Sequence, residues 1–300
     1  MRLFGKKPAK KPTRIFFATD LHGSEVAFRK FINAGKFYEA DVLVMGGDVM
    51  GKLAIPIIRE GTDRHRATIL GRVEHFEGAT ALATMRERIS NLGFYPRELD
   101  EDEYRAIQGD DAAIERLFVE LANERLERWI SLAHDRLAGT GVRCYATGGN
   151  DDLTDVMARM ETMASETFVP CENGVVPLDD DHLMVSLPYV NPTPWRTPRE
   201  APEDDLARMI GERVAGIGDF GHLIFNFHAP PKDSTLDTCP MLDASTDPPR
   251  QVSVAGQPVL HGAGSSAVRE ALERHQPLLG LHGPIHESPA IARIGRTLVL

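Results

Sequence analysis

The stretch RIFFATDLHGS, residues 14–24, decides the fold: its apolar run ends in Asp20, a spacer, His22 and a glycine. The run is long enough for one buried strand and too short for a helix. Side chains at positions i and i+2 of an extended chain point to the same side, so an oxygen and a nitrogen ligand leave this strand together. Asp-x-His alone is a weak signal, because such an Asp is commonly a helix cap or a turn residue. The pair predicts a divalent-metal site only if later strand ends supply more ligands.

The bulk composition is that of an ordinary globular protein. The chain has 300 residues, of which 42% are hydrophobic and 26% are charged, which is enough to bury a core. No uninterrupted apolar run is long enough to cross a membrane. The basic N-terminus, MRLFGKKPAKKP, has no apolar stretch behind it, so it is not a secretory signal. We predict a flexible tail over residues 1–13, with contact to an anionic partner as the alternative.

Charge and cysteine content limit the partners and the cellular location that we expect. The net charge is −10, from 44 acidic and 34 basic residues, and no basic stripe follows the first dozen residues, which disfavours nucleic acid as a partner. Cys144, Cys171 and Cys239 are odd in number and far apart, so they form neither a disulfide framework nor a metal knuckle. A reducing, cytoplasmic location is the default expectation.

The residues after the first strand predict a βαβ unit. Ser24 is a plausible N-cap for a helix with an i, i+4 apolar stripe. Residues 41–45, DVLVM, form a second buried strand, and the following GGD ends at Asp48. Strand, helix and strand in this order predict a right-handed, parallel unit. Because functional groups gather at the carboxyl ends of strands in open α/β sheets, Asp20, His22 and Asp48 are predicted to meet there.

The character of the chain changes between residues 51 and 140. This segment is richer in Arg and Glu and has few strand-like runs, whereas residues 79–92 and 110–137 carry apolar residues at helical spacing. We interpret it as a mostly helical insertion in a single domain over residues 14–300. Its helices either cover one face of the sheet or form a cap that shapes access to the site.

Four further strands are predicted, and three of them lead to possible metal ligands. These are VRCYAT (142–147) before Asn150, HLIFNF (222–227) before His228, and PLLGL (277–281) before His282 and His286; the fourth covers residues 183–187. The last ten residues, IARIGRTLVL, predict a hairpin that runs into Leu300 without a cap or a polar tail. We therefore expect that the chain is cut short or belongs to a longer protein.

Two loops allow a functional interpretation, and each also has a simpler structural one. Trp195 lies in the proline-rich stretch NPTPWRTPRE; we interpret it as a packing residue, with a substrate platform as the alternative. The stretch GAGSS, residues 262–266, precedes a helix that runs through His275. Glycines at a helix N-terminus can hold an anion, but a turn and a cap explain this one equally well.

The blocks that follow the strands read, in chain order, DLH, GGD, GGND, NFH and GPIH. They resemble the pattern of the calcineurin-like metallophosphoesterase family, in which D-x-H, G-D, G-N-H, a lone His and G-H-x-H each stand at a strand exit. The resemblance spans almost the whole chain from Arg14 and is interrupted by the insertion. It implies an α/β fold, in particular a four-layer α-β-β-α sandwich, with a two-metal centre.

The resemblance also implies the ligands and the reaction. One ion would take Asp20, His22, Asp48 and His286, and the other Asp48 as a bridge, Asn150 and His228. Oxygen and imidazole ligands suit Mn, Fe or Zn. Paired ions about 3.5–4 Å apart hold a hydroxide as nucleophile and clamp the phosphoryl oxygens. The expected activity is hydrolysis of a phosphomonoester or small phosphodiester, on a phosphorylated small molecule, with Asp48, Asn150 and Asp151 as catalytic residues.

Two positions depart from the family pattern. Pro284 stands in place of the first His of G-H-x-H, and the second metal site is therefore expected to be weaker. His282 could substitute only if the chain bends, because positions i and i+2 lie roughly 6.5–7 Å apart along a strand. Asp151 stands where many members carry the His that protonates the leaving group. An ionised Asp is a poor general acid unless its pKa is raised, which points to substrates with good leaving groups.

These departures leave a second hypothesis open. The protein is either a metal-dependent phosphoric ester hydrolase or a binding or scaffold protein of the same fold with weak or no catalysis. The six ligand-type residues favour the enzyme, because a scaffold has no physical need of them, whereas Pro284 and Asp151 favour the scaffold. A nuclease is disfavoured by the acidic balance and the lack of a basic groove.

Overall fold

A computed structural model describes residues 11–172, 174–283, 285 and 288–300 and has a mixed α/β fold. Its strands are β1 Ile15–Ala18, β2 Val42–Met45, β3 Ala54–Arg59, β4 Arg64–Ile69, β5 Arg72–Glu77, β6 Tyr95–Leu99, β7 Arg143–Ala146, β8 Phe168–Pro170, β9 Val175–Pro177, β10 Leu183–Leu187, β11 Leu223–Phe227, β12 Thr238–Pro240, β13 Leu242–Asp243, β14 Arg250–Gln251, β15 Ser253–Val254, β16 Gln257–Pro258, β17 Leu260–Gly262, β18 Leu279–Leu281, β19 Ala292–Ile294 and β20 Thr297–Val299. Its helices are α1 Glu25–Phe37, α2 Ala79–Asn91, α3 Glu101–Ile107, α4 Asp111–Leu137, α5 Thr154–Glu161, α6 Glu203–Val214 and α7 Ser266–His275.

The first sheet is entirely parallel and has the order β1-β2-β7-β8. The predicted βαβ unit is present, since β1 pairs in parallel with β2 and α1 lies between them in the chain. Ser24 caps this helix by accepting a hydrogen bond from the Ala27 backbone N–H at 3.3 Å. Because all four strands run in one direction, the loops after β1, β2 and β7 leave from the same edge.

The second sheet has the order β19-β20-β18-β11-β10-β9. Its four inner strands are parallel to one another. The two outer strands, β9 and β19, are antiparallel to β10 and β20, respectively. The strand predicted over residues 183–187 is β10, and the predicted terminal hairpin is β19 with β20. The loops after β11 and β18 leave from one edge of this sheet, again because these two strands are parallel.

The central strands β2 and β11 are buried on both faces, which is why they read as continuous apolar runs. On β2, Leu43 and Met45 pack with α1, α4 and α5, whereas Val42 and Val44 face the second sheet. On β11, Ile224 packs with those valines, and Phe225 and Phe227 pack with α6 and α7. Helices therefore cover the outer side of each sheet, and the inner sides of the sheets face one another.

The inserted segment contains a four-stranded sheet that the sequence did not predict, so a mostly helical interpretation of residues 51–140 is incomplete. The order of this sheet is β5-β4-β3-β6. One face of β4 is buried through His65, Ala67 and Ile69, while the residues between them are less buried or exposed. Leu70 and Gly71 join β4 to β5 with φ angles of 49° and 78°. Two left-handed residues are typical of a type I′ hairpin, but Leu-Gly lacks its usual Asn or Asp.

α4 attaches this segment to the first sheet. The buried Arg125 side chain forms an ion pair with Glu25 at 2.9 Å and donates hydrogen bonds to the carbonyl oxygens of Gly23 and Phe94. Gly93 packs directly against the chain before α1, since a Cβ built on it would lie 2.1 Å from the carbonyl oxygen of His22. The insertion is thus in contact with the loop that carries Asp20 and His22.

Part of the predicted basic tail, residues 1–10, lies outside the described residues. In the part that is described, Lys11 forms an ion pair with Asp41 at 3.2 Å, and the Thr13 hydroxyl donates to Asp179. Among the described helices, none combines the length and the apolar character needed to cross a membrane.

Candidate metal centre

The loops after β1 and β2 hold Asp20, His22 and Asp48 side by side. Backbone hydrogen bonds join the loops, from the Asp20 N–H to the Gly47 carbonyl at 3.0 Å and from the His22 N–H to the Asp48 carbonyl at 2.9 Å. The φ angles of Asp20, His22 and Asp48 are 58°, 43° and 48°. Such left-handed conformations are strained for residues other than glycine and cluster at functional sites. The three residues with strained backbone are the three predicted metal ligands that follow β1 and β2.

The side chains of these residues converge on one point. The His22 Nε2 lies 3.7 Å from an Asp20 carboxylate oxygen and 3.8 Å from an Asp48 oxygen. Asp48 is only 2% exposed. His22 is largely buried, and this burial lowers the pKa of its imidazole below the ordinary value, against the opposing effect of the Asp48 charge. The imidazole is therefore kept in the neutral form that binds a metal.

His228, the first residue after β11, reaches this cluster from the second sheet. Its Nε2 lies 3.4 Å from Asp48 Oδ1, and its Nδ1 donates a hydrogen bond to the Gly46 carbonyl at 3.1 Å. Asp20, Asp48 and His228 each offer a ligand atom within 4.8 Å of the others, and so do His22, Asp48 and Asp151. Asp48 belongs to both groups, the position that a bridging ligand requires.

Asp48 and His228 determine the charge of the buried centre. Burial alone would raise the pKa of Asp48, but the charge and hydrogen bond of His228 outweigh it and lower this pKa to about 2. Burial alone would lower the pKa of His228, but the Asp48 carboxylate raises it to about 9. Because Nδ1 donates to a carbonyl, a neutral His228 would turn its Nε2 lone pair toward a carboxylate. A positive charge between the two atoms, from a proton or a metal ion, is needed for this geometry.

Asn150 stands at the exit of β7, beside Asp48. The next residue, Asp151, donates its backbone N–H to Asp48 Oδ1 at 2.9 Å. The Asn150 amide nitrogen donates to the Thr197 hydroxyl at 3.0 Å, and its Oδ1 is buried with no hydrogen-bond partner among the described residues. A buried amide oxygen without a donor is destabilising unless another electrophile approaches it.

Asp151 forms an ion pair that the sequence did not predict. Its Oδ2 lies 2.6 Å from the Lys52 ammonium and 3.8 Å from the His22 Nδ1. Lys52 lies in the loop after β2, four residues beyond Asp48, and is about half exposed. It brings a positive charge to the rim of the centre, and nothing in its local sequence distinguishes it from other surface lysines.

Asp152 is a structural carboxylate that sequence analysis also missed. It is fully buried and accepts three backbone N–H groups, from Val49 at 3.0 Å, Met50 at 2.7 Å and Gly149 at 2.7 Å. Burial, followed by the charge of Asp48, raises the pKa of Asp152 to about 7. The side chain joins the loops after β2 and β7 and so fixes the distance between Asp48 and Asn150. The Asp-Asp pair after GGN is the only sequence signal for it.

Gly149 permits the close approach of the ligands. A Cβ on this residue would lie 2.3 Å from Asp48 Oδ1 and 2.6 Å from His228 Nε2. Real Cβ atoms do not approach other atoms this closely, so any side chain here would displace one of the two ligands. The glycine doublet before Asn150 is therefore required by packing at the centre.

His282, the predicted substitute ligand, has a different position. Its Nδ1 donates to the carbonyls of Phe227 at 2.9 Å and Ala229 at 3.0 Å, on either side of His228. Its Nε2 faces Gly280, where a Cβ would lie 2.6 Å away. Within the described part of the chain, His282 joins no group of possible ligands. The predicted ligand His286 and the departure at Pro284 lie outside the described residues.

A cleft of about 890 Å³ opens above the centre. Its lining includes His22, Lys52, Trp195 and Lys232. Trp195 is 59% exposed, so its interpretation as a packing residue is wrong; its loop is held by hydrogen bonds of Glu200 and not by the indole. The size is sufficient for a small organic ligand.

The glycine-rich stretch before α7 does not present a free helix terminus. The Glu203 carboxylate accepts hydrogen bonds from the backbone N–H groups of Ser266 at 3.0 Å and Ala267 at 2.9 Å. It also accepts from the Ser265 hydroxyl. The structure therefore supports the turn-and-cap interpretation, with an internal carboxylate in the position an external anion would take.

Comparison with known proteins identifies the fold but no family. No protein-family model and no curated protein sequence matches this chain. One solved crystal structure is similar over 97% of this chain and 90% of its own, with 11% sequence identity and a TM-score of 0.54. A second, TT1561 of Thermus thermophilus, covers 96% of this chain and 88% of its own at 12% identity, with a TM-score of 0.48. The first likeness shows a shared fold over almost the whole chain.

Proposed function

We propose that the protein is a metal-dependent phosphoric ester hydrolase of the calcineurin-like metallophosphoesterase type. The observation that carries the proposal is the placement of Asp48, which faces His22 on one side and His228 on the other, 3.8 Å and 3.4 Å away. The packing of helices outside two facing sheets supports the four-layer α-β-β-α sandwich expected for this class. The ligand loops come from both sheets, so the centre lies where their carboxyl edges meet.

The side chains present fit two divalent cations. The Nε2 of His228 needs a positive charge between it and Asp48, and the buried Oδ1 of Asn150 lacks a donor among the described residues. Carboxylate, amide and imidazole ligands suit Mn, Fe or Zn. Asp20, His22 and Asp48 would hold one ion, and Asp48, Asn150 and His228 the other. When bound, such ions act as Lewis acids that activate water and neutralise phosphoryl oxygens.

Several side chains adapt the centre to a phosphorylated substrate. With cations bound, the surroundings of Asp48 would be locally positive even in an acidic protein, because bound ions dominate the local charge. The Lys52 ammonium, on the same rim, adds N–H donors that can bind a phosphoryl oxygen. Asp151 occupies the place of the family's general-acid His and is held in an ion pair by Lys52. This arrangement favours esters whose leaving group departs without a proton.

We place this activity in the cytoplasm. Cys144 and Cys171 are buried free thiols, as expected in a reducing compartment. A phosphomonoester or a small phosphodiester fits a cleft of about 890 Å³. The net charge of −10 disfavours nucleic acid as the substrate.

The decisive experiment measures Mn²⁺ binding and hydrolysis of p-nitrophenyl phosphate and bis-p-nitrophenyl phosphate by the same preparation. We expect bound Mn²⁺ and turnover of at least one ester. Asp48→Asn removes a charged ligand from both groups and should lower turnover by more than about 100-fold, beyond the usual 10–100-fold effect of outer-sphere changes. Asp135→Asn, on the exposed side of α4, is the matched control and should leave turnover unchanged.

The outcomes separate the enzyme from its alternative. Metal binding without hydrolysis of either ester would contradict the enzyme and support a binding protein of this fold. Absence of both metal and hydrolysis would contradict the metal centre itself. Full turnover of Asp48→Asn would show that hydrolysis occurs elsewhere or comes from a contaminant.

A further inference from the structure

The loop over residues 191–200 contacts Asn150 of the candidate centre. Thr197 accepts a hydrogen bond from the Asn150 Nδ2 at 3.0 Å, and the Arg199 backbone N–H donates to the Asn150 carbonyl at 3.2 Å. Asn150 is 6% exposed, so its side chain is shielded from water. The orientation of its amide is therefore decided by the protein and not by solvent.

The direction of the hydrogen bonds fixes which end of the amide faces Thr197. The Thr197 hydroxyl donates its one proton to Glu200 Oε1 at 2.9 Å, and an ionised carboxylate can only accept. Hydrogen bonds from Thr193 and Thr197 lower the pKa of Glu200, against the effect of its burial. With its proton used, Thr197 can only accept from Asn150. The NH₂ group must then face Thr197, and Oδ1 must face the other way.

We propose that Thr197 is a positioning residue that orients the Asn150 amide so that its oxygen faces the second metal ion. The inference rests on the proposed metal centre. A flipped amide would turn two N–H groups toward the cation, and the ligand would be lost without any change of residue. Glu200 contributes indirectly, because its carboxylate accepts the Thr197 proton and so leaves the hydroxyl oxygen to accept from Asn150.

Thr193 provides a matched control on the same carboxylate. Its hydroxyl donates to Glu200 Oε1 at 2.5 Å, and its backbone N–H donates to Oε2 at 3.0 Å. Thr193 has no hydrogen bond to Asn150 among those of the described residues. Valine keeps the branched shape of threonine but lacks the hydroxyl, so Thr193→Val and Thr197→Val each remove one hydrogen bond to Glu200 Oε1. Only the second removes the acceptor for Asn150.

Isothermal titration calorimetry with Mn²⁺ on the whole chain tests the proposal. We expect two classes of site in the wild type and, in Thr197→Val, an affinity of the weaker site that is about 10–100-fold lower. Thr193→Val should bind as the wild type does. Thr197→Ser, which keeps the hydroxyl, should restore wild-type affinity, a rescue that a purely structural role for the methyl group does not predict.

Each result decides the matter. Unchanged Mn²⁺ affinity in Thr197→Val, an equal loss in Thr193→Val, failure of Thr197→Ser to rescue, or a wild type that binds no Mn²⁺ would each overturn the inference. If the wild type binds Mn²⁺ but hydrolyses no ester, the proposed hydrolase activity fails, whereas the role of Thr197 is still decided by the affinities. The two failures are therefore distinguishable.

Discussion

Two buried histidines, His228 and His282, begin the loops that follow neighbouring parallel strands of the second sheet. Both donate from Nδ1 to backbone carbonyls, so in both the Nε2 is the nitrogen left for other chemistry. The Nε2 of His228 faces the Asp48 carboxylate, and the pKa of His228 rises to about 9. The Nε2 of His282 faces Gly280, and burial lowers its pKa to about 4.

The difference suggests a rule for the proposed centre: a histidine at a strand exit is a candidate ligand when an anion lies opposite it. Asp48 makes His228 a site for a positive charge, whereas His282 joins no group of possible ligands among the described residues. His282 instead stabilises the turn that carries His228, since it bonds to the carbonyls on either side of it. In the proposed metal centre, His228 would bind the ion, and His282 would hold the turn that carries His228.

Substitution of the two histidines should have the largest and most unequal effect. His228→Gln removes a direct ligand and should lower Mn²⁺ affinity and turnover by more than about 100-fold. His282→Gln disturbs only the support of that ligand and should lower both by about 10-fold, the lower end of outer-sphere effects. Calorimetry and p-nitrophenyl phosphate hydrolysis measure the two quantities.

Circular dichroism on both variants controls for loss of the fold, because removing one member of a buried charged pair costs about 3–5 kcal/mol. Equal losses of metal affinity in two folded variants would show that His282 is itself a ligand.

The glycines that face the two Nε2 atoms offer a second contrast. A Cβ on Gly149 or on Gly280 would lie 2.6 Å from the Nε2 of His228 or His282, respectively. Each alanine substitution should destabilise the fold by about 1–3 kcal/mol through overpacking, measured by urea unfolding. Only Gly149→Ala should also lower Mn²⁺ affinity by more than about 10-fold, because its Cβ also approaches Asp48.

Gly218→Ala is the control for these substitutions, since no atom lies within 4 Å of a Cβ there. A Gly149→Ala variant that is destabilised yet binds Mn²⁺ normally would contradict the close approach of the two ligands.

A further contrast is a pH dependence of stability in the metal-free protein. The folded-state pKa of His282, about 4, lies below the ordinary value of 6.5. Between these values the unfolded chain binds a proton that the folded chain does not, so the free energy of unfolding falls as the pH decreases from 6.5 to 4. His282→Gln should abolish this contribution. Urea unfolding with a chelator, at several pH values, compares the slopes; parallel curves for wild type and variant would refute the assignment.

The sequence predicted the central strands because burial on both faces removes any alternation from their pattern. Val42–Met45 and Leu223–Phe227 are such runs. The sequence did not predict the hairpin strands Arg64–Ile69 and Arg72–Glu77. One face of each strand is exposed to solvent and carries Arg and Glu. The two- and three-residue strands between Thr238 and Gly262, such as Thr238–Pro240, were missed because they are too short to show a period.

At the site, the candidate ligands could be predicted because each follows an apolar run at the end of a strand. The structure brings Asp20, His22, Asp48 and His228 together. Asp152 and Thr197 were not predicted because their partners are distant in sequence. Asp152 binds backbone groups about a hundred residues away, and Thr197 lies 47 residues from Asn150. Local patterns carry no information on such pairs, so the groups that hold the ligands are found only in the folded chain.

The contacts of Arg125 and Gly93 also bear on how this protein could be dissected. An insertion that can be excised would leave no broken contacts behind, but Arg125 donates to the Gly23 carbonyl, and a Cβ on Gly93 would lie 2.1 Å from the His22 carbonyl oxygen, outside the segment. Removal of residues 51–140 would leave Glu25 without its buried cation and expose the back of the His22 loop. The segment thus belongs to the minimal folding unit, and trimming or grafting experiments would have to keep it together with the candidate metal centre.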